Sequence, residues 1–226
     1  MWYLSRLHPL SIYMPQLNVN EIFYSLQGES STVGFPTVFI RLTGCPLRCG
    51  YCDSSFAFEQ GEEMDVSTIL KAVAGYQAQY VTVTGGEPLA QRQCLDLLVS
   101  LCDAGYKTSL ETGGMLDVSQ VDPRVMKVID LKTPGSGECE SNRYENIEYI
   151  QPKDQIKFVI CDEEDYIWSK QQLDDWHLLE HCEVLFSPCQ ESQDEKELAE
   201  WILRDHLPVR FQIQLHKQLW GDERGK

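Results

Sequence analysis

Apolar and polar positions along the 226-residue chain follow two rhythms. A period of two, or a short unbroken apolar run, marks a strand; apolar residues spaced three and four apart mark a helix. The first rhythm predicts strands over 20–29, broken at Gly28, and over 36–43, 79–84, 106–111, 125–131, 155–160, 183–186 and 209–216. The second predicts helices over 65–76, with Val66, Ile69, Leu70 and Val73 on one face, and over 91–104, with Cys94, Leu97, Leu98 and Leu101. Gly105 is placed as the stop of that second helix. Helices over 163–179 and 191–206 follow, and the polar stretch 136–155 holds one short turn at 142–147.

Strands alternating with helices of this length imply parallel βαβ units. About six strands follow the one at 36–43, in less chain than the roughly 250 residues of a full eightfold barrel. The expected fold is therefore α/β, an incomplete, splayed (β/α) barrel. Residues 20–226 form one domain, and residues 1–19 are an N-terminal extension with no assigned function.

The unusual residues gather just past strand ends. Cys45, Cys49 and Cys52 make a CxxxCxxC loop after the run 36–43, and Gly85-Gly86-Glu87-Pro88 closes the strand at 79–84. Glu111-Thr112-Gly113, Asp130-Leu131-Lys132, Ser187-Pro188 and His216-Lys217 take corresponding positions. In a parallel barrel those ends share the face that carries the active site. Three thiolates are one fewer than a closed zinc site or a fully ligated four-iron cluster needs, which leaves one metal position open for chemistry. A zinc knuckle with a distant fourth ligand, or three buried cysteines, remain the alternatives. Gly85 and Gly86 let backbone approach a ligand closely, and Glu87 offers an acceptor suited to an ammonium group. Arg41, inside an apolar strand, calls for an anionic partner. His216 is either a hydrogen-bonded core residue or part of a pocket.

Composition narrows the class. A net charge of -16 argues against a protein that grips nucleic acid or an anionic membrane. No apolar run is long enough to span a bilayer. Nine cysteines without an export signal fit a reducing cytoplasm. Six of them, Cys94, Cys102, Cys139, Cys161, Cys182 and Cys189, lack ligand-like spacing and read as core or bystander residues.

The pair CxxxCxxC and Gly-Gly-Glu-Pro resembles the radical S-adenosylmethionine (SAM) enzymes. Segments 21–29, 39–46, 52–54, 84–88, 111–113 and 214–217 are together similar to the 7-carboxy-7-deazaguanine synthase family, over about residues 20–217. The resemblance implies a [4Fe-4S] cluster on Cys45, Cys49 and Cys52, with the open iron chelating SAM, whose cleavage yields a 5′-deoxyadenosyl radical. It implies SAM contacts from Gly86, Glu87, Asp130, Leu131, Lys132, Ser187 and Gln190. Pterin contacts are implied from Leu26, Gln27, Gly28, Glu29, Arg41, Thr84 and His216. A Mg²⁺ ligand is implied at Ser54, where the family has threonine; serine keeps the hydroxyl that a hard cation takes. The implied reaction contracts 6-carboxytetrahydropterin to 7-carboxy-7-deazaguanine with loss of ammonia, toward queuosine. A homodimer and a flavodoxin- or ferredoxin-like electron donor are implied as well. A glycyl-radical activase and a zinc-binding module are the competing readings.

Overall fold

A computed structural model of the chain describes residues 16–190, 192–221 and 223–226. Among the described residues nine strands form one sheet, in order β3-β1-β2-β4-β5-β6-β7-β8-β9. These are β1 (Gln16–Leu26), β2 (Pro36–Leu42), β3 (Glu62–Asp65), β4 (Tyr80–Gly85), β5 (Lys107–Thr112), β6 (Met126–Asp130), β7 (Gln155–Ile160), β8 (Glu183–Pro188) and β9 (Arg210–Phe211). From β2 through β9 every pairing is parallel, while β1 runs antiparallel to both β2 and β3. Among the described residues the linear order leaves β3 and β9 as the edges. The sheet does not close, as an incomplete barrel requires.

The described residues also form helices α1 (Val66–Ala74), α2 (Cys94–Asp103), α3 (Glu163–Asp175), α4 (Leu178–His181), α5 (Glu195–Arg204) and α6 (Leu215–Trp220). Asp65, Asp162 and Asp194 cap α1, α3 and α5 by accepting from backbone N–H groups in the first turn. The helical stretch expected over 163–179 is two helices, split where His177 takes φ +49°.

Alternation along the parallel strands divides the sheet into two unlike faces. Val81 and Val83, Leu110, Ile129, Ile156, Phe158 and Ile160, with Val184 and Phe186, join one apolar core with Ile69, Val73, Leu97, Leu98, Leu101 and Leu198 of the helices. The residues between them, Thr82, Thr84, Ser109, Glu111, Asp130, Lys157 and Ser187, point to the opposite, inner face. The core thus lies between sheet and helices, and the inside of the splayed barrel is polar.

Three expectations need correcting. Strand β1 starts at Gln16, inside the expected extension, and Leu17 and Val19 are core residues; residues 1–15 lie outside the described residues. The last strand is two residues long, and His216 sits in α6 instead of on a strand. Strand β3 is too short and too acidic (Glu-Glu-Met-Asp) to show an apolar rhythm, and its pairing with β1 creates it.

Candidate functional site

The loop carrying Cys45, Cys49 and Cys52 leaves β2 and lies against the turn that leaves β4. Gly85, at φ +144°, packs on the Leu42 backbone, and a Cβ on Gly86 would overlap the Gly44 carbonyl and the Cys45 side chain. Glu87 N–H donates to Gly44 O at 2.8 Å, fastening the two loops together. A side chain at either glycine would force the loops apart.

All three loop thiols are reduced and partly buried. Burial raises the thiol pKa of Cys45 and of Cys49, while the Leu47 N–H beside Cys45 and the Lys132 ammonium beside both pull the other way. Among the described residues no three His, Cys, Asp or Glu groups are arranged to hold a single metal ion. In a four-iron cluster each thiolate serves a different iron. Three soft sulfur donors, with a cation and backbone N–H groups to favour the thiolate form, fit such a cluster.

Glu87 is 1% exposed, and its carboxylate is engaged within the protein. It accepts from the Thr112 hydroxyl and from the Leu89 and Gly113 N–H groups. Burial lifts its pKa above the ordinary carboxylate value despite those donors. Leu131 turns its side chain into the apolar core, so only its backbone faces the site. Lys132 is fixed through its main chain, which exchanges two 2.8 Å hydrogen bonds with the Asn142 side chain. Among the described residues the buried Ser187 hydroxyl has no hydrogen-bond partner, nor have the buried Asp130 Oδ1 and Tyr51 Oη; Gln190 lies exposed in the turn beyond β8.

The second half of the site reaches the inner face from the other end of the barrel. Leu26 pairs with Pro36 at the start of β2, so the loop after β1 begins where the parallel strands begin. It folds inward, tied by Ser30 N to Gln212 Oε1 at 2.6 Å and by Ser31 N to Gln155 Oε1 at 3.0 Å. Gln27 Nε2 then donates to Thr82 Oγ1 at 3.1 Å and to Glu111 Oε1 at 3.2 Å, while Thr84 Oγ1 donates to Glu111 Oε2 at 2.9 Å. Glu29 meets Lys157 at 2.6 Å and Gln214 Nε2 at 2.7 Å. Gly28 packs against His216, whose imidazole a Cβ at that position would overlap. Arg41, in register with Thr84 on the same face, donates to Glu21 at 2.8 Å and lies over the rings of Phe23 and Phe56.

Electrostatics follow from this crowding. Burial alone would raise the Glu29 carboxyl, but Lys157 and the hydrogen bonds from Lys157 and Gln214 hold it below its ordinary value. Glu111 goes up, through burial and the neighbouring Glu29 charge. Asp130 is lowered by Lys132 and Lys157 against its burial, and Lys157 is held well above its ordinary value chiefly by Asp130 and Glu29.

Sequence reading missed Glu111 and Lys157 as site residues. Glu111 stood in a segment already singled out; Lys157 carried only the weak signal of one charge inside an apolar strand. Ser54 caps the short 3₁₀ turn Ser55–Phe58 without a side-chain capping bond, next to Asp53, which pairs with Lys217 at 3.5 Å. A separate groove of about 630 Å³ between β1, β3 and α1, lined by Glu21, Met64 and Tyr76 among others, contains none of the expected cluster or SAM residues.

Comparison with known proteins adds four findings. Residues 39–130 match the radical SAM superfamily. The chain is 46% identical over 213 residues to a protein of Chlorobaculum tepidum named 7-carboxy-7-deazaguanine synthase, covering 92% of this chain and 97% of that one. It is 39% identical to one of the same name from Koribacter versatilis, covering 92% and 98%. Among solved structures, that of QueE from Escherichia coli superposes with a TM-score of 0.73 at 24% identity, over 89% of this chain and 95% of that one, a likeness of fold.

Proposed function

The chain belongs to the 7-carboxy-7-deazaguanine synthase family within the radical SAM superfamily, and on that premise we propose that it contracts 6-carboxytetrahydropterin to 7-carboxy-7-deazaguanine with release of ammonia. The superfamily implies a [4Fe-4S] cluster and SAM. When bound, the cluster supplies the electron that cleaves SAM and begins radical chemistry. Cys45, Cys49 and Cys52 would hold it, and the Gly85–Gly86 turn would present backbone to the methionine end of SAM. Asp130, the backbone of Leu131, Lys132, Ser187 and Gln190 are the further SAM contacts in this reading.

The observation that carries the pterin assignment is the Gln27–Glu111–Thr84 cluster on the inner face. A pterin edge carries adjacent N–H donors and a carbonyl, which a carboxyl and an amide held side by side can pair. The Glu111 oxygens are kept in place by Gln27 and Thr84, so the edge meets acceptors that need no reorganisation. Arg41 supplies the guanidinium for the substrate carboxylate, with Glu21 and the two phenyl rings fixing its plane. Leu26, Gly28 and Glu29 bring the loop against the substrate, and Gly28 has no side chain because His216 fills that space.

Mg²⁺ at Ser54, a homodimer, a flavodoxin- or ferredoxin-like donor, a cytoplasmic location and a single domain belong to the same proposal. Among the described residues no helix is long and apolar enough to cross a membrane.

The test is turnover. Reduced, cluster-loaded protein with SAM and 6-carboxytetrahydropterin should give deazaguanine absorbance and one ammonia per product. SAM cleavage without either product would overturn the pterin reading. Ser54→Ala should lower the rate at limiting Mg²⁺ and recover as Mg²⁺ is raised.

A further inference from the structure

Four charges of alternating sign cross the inner face. Glu29 Oε2 stands 2.6 Å from Lys157 Nζ, Lys157 Nζ 3.3 Å from Asp130 Oδ2, and Asp130 Oδ2 3.2 Å from Lys132 Nζ. None of the four side chains is more than 19% exposed. The series starts in the loop after β1 and ends beside the cysteine loop, where the Lys132 ammonium lies 5.9 Å from the centre of the Tyr51 ring. Its middle members come from adjacent strands, Asp130 of β6 being in register with Lys157 of β7.

Such a series is not explained by stability. Withdrawing ions from water costs several kcal/mol each, and apolar residues of similar volume would serve the fold at least as well. What the series does provide is a shared cation between two carboxylates that face different parts of the site. If Glu29 is drawn toward a ligand, its hold on Lys157 weakens and the Lys157–Asp130 attraction strengthens. Asp130 then divides its charge differently between Lys157 and Lys132. The same exchange runs in reverse when a ligand engages Asp130 or Lys132. Asp130 Oδ1, buried and without a hydrogen-bond partner among the described residues, is the atom left to meet such a ligand.

We propose that Lys157 is a positioning residue that couples the substrate loop to the cofactor segment, so that occupancy at Glu29 changes affinity at Asp130–Lys132 and the reverse. This rests on the reading that Glu29 faces the pterin and Asp130–Lys132 face SAM. Coupling of binding is reciprocal: each ligand shifts the other's affinity by the same factor. Lys157 acts through its two carboxylates and touches neither ligand itself.

A double-mutant cycle tests it. SAM affinity is measured by anaerobic calorimetry on the cluster-loaded wild type, Glu29→Gln, Lys157→Met and the double variant. Glu29→Gln, far along the series from the cofactor, should change SAM affinity by about 5-fold or more when Lys157 is present. With Lys157→Met in place, the same change should move it less than about 2-fold. In turnover, Lys157→Met should raise KM for both SAM and pterin more than it lowers kcat at saturation. A Glu29→Gln effect of equal size in both backgrounds, or no effect in either, overturns the proposal. If Lys157→Met does not fold with full iron content, Asp130→Asn breaks the series from the other side and the cycle is read the same way. A wild type that binds SAM but leaves the pterin unchanged would sink the synthase reading, while the SAM cycle would still decide the coupling.

Discussion

The Thr112 hydroxyl lies 2.9 and 2.8 Å from the two oxygens of the Glu87 carboxylate. With the Gly113 N–H at 2.8 Å, it ties the exit of β4 to the exit of β5 directly beneath the cysteine loop. Thr112→Val keeps the shape and removes the donor, leaving a buried acceptor underpaired. Urea unfolding should show a loss of about 1–3 kcal/mol. SAM affinity should fall as well, because that carboxylate anchors Glu87, the residue that follows the Gly85–Gly86 turn and whose N–H fastens it to Gly44. Unchanged stability would mean that the hydroxyl contributes nothing to that anchor.

Cys49→Ala should remove the cluster while leaving the fold. Anaerobic reconstitution followed by iron analysis and visible spectroscopy should find the brown absorbance lost in the variant and present in Cys102→Ala. Cys102 sits in α2, away from the loop. Full iron in Cys49→Ala would disprove the ligand assignment.

Lys127 and Asp154 form a structural ion pair unrelated to the site, 2.7 Å apart with side chains 3% and 0% exposed. Asp154 also accepts from the Lys127 and Gln151 N–H groups. Asp154→Ala strands a buried ammonium and should cost about 3–5 kcal/mol in chemical denaturation. Iron content of the protein that remains folded should be normal.

Gly28→Ala places a methyl group where His216 stands. The clash should displace α6 from the loop at a cost of about 1–3 kcal/mol. Since Leu215 N–H also donates to Gly28 O at 3.0 Å, KM for the pterin should rise with little change in SAM affinity. Equal KM values for wild type and variant would remove α6 from the site.

Burial holds the His216 imidazole below its ordinary value of 6.5, although Glu29 and Asp53 pull it upward. The unfolded chain therefore takes up this proton before the folded one does. Stability from the neutral imidazole is complete above the unfolded value and is lost as pH falls from there through the folded value. The melting temperature should drop between about pH 7 and 5 by less in His216→Gln than in wild type. Parallel curves would show that the folded and unfolded chains hold the His216 proton equally, with no shift from burial.

What the sequence determined is what local chemistry controls. Alternation and helical spacing set nearly every strand and helix, because one face of each must meet the same apolar core. Cysteine spacing and the paired glycines marked the cofactor end, since those residue types have few other reasons to stand together. Only the tertiary structure decided what depends on distant pairing. Strand β3 exists through its partner β1, and α6 replaces a strand because Leu215 and His216 lean on Gly28. Glu87 turns inward to Thr112, and Lys157 becomes a shared cation because β6 and β7 align it with Asp130. A charge inside an apolar run reveals that it has a partner; which partner is a matter of register between strands, and register is a property of the folded sheet.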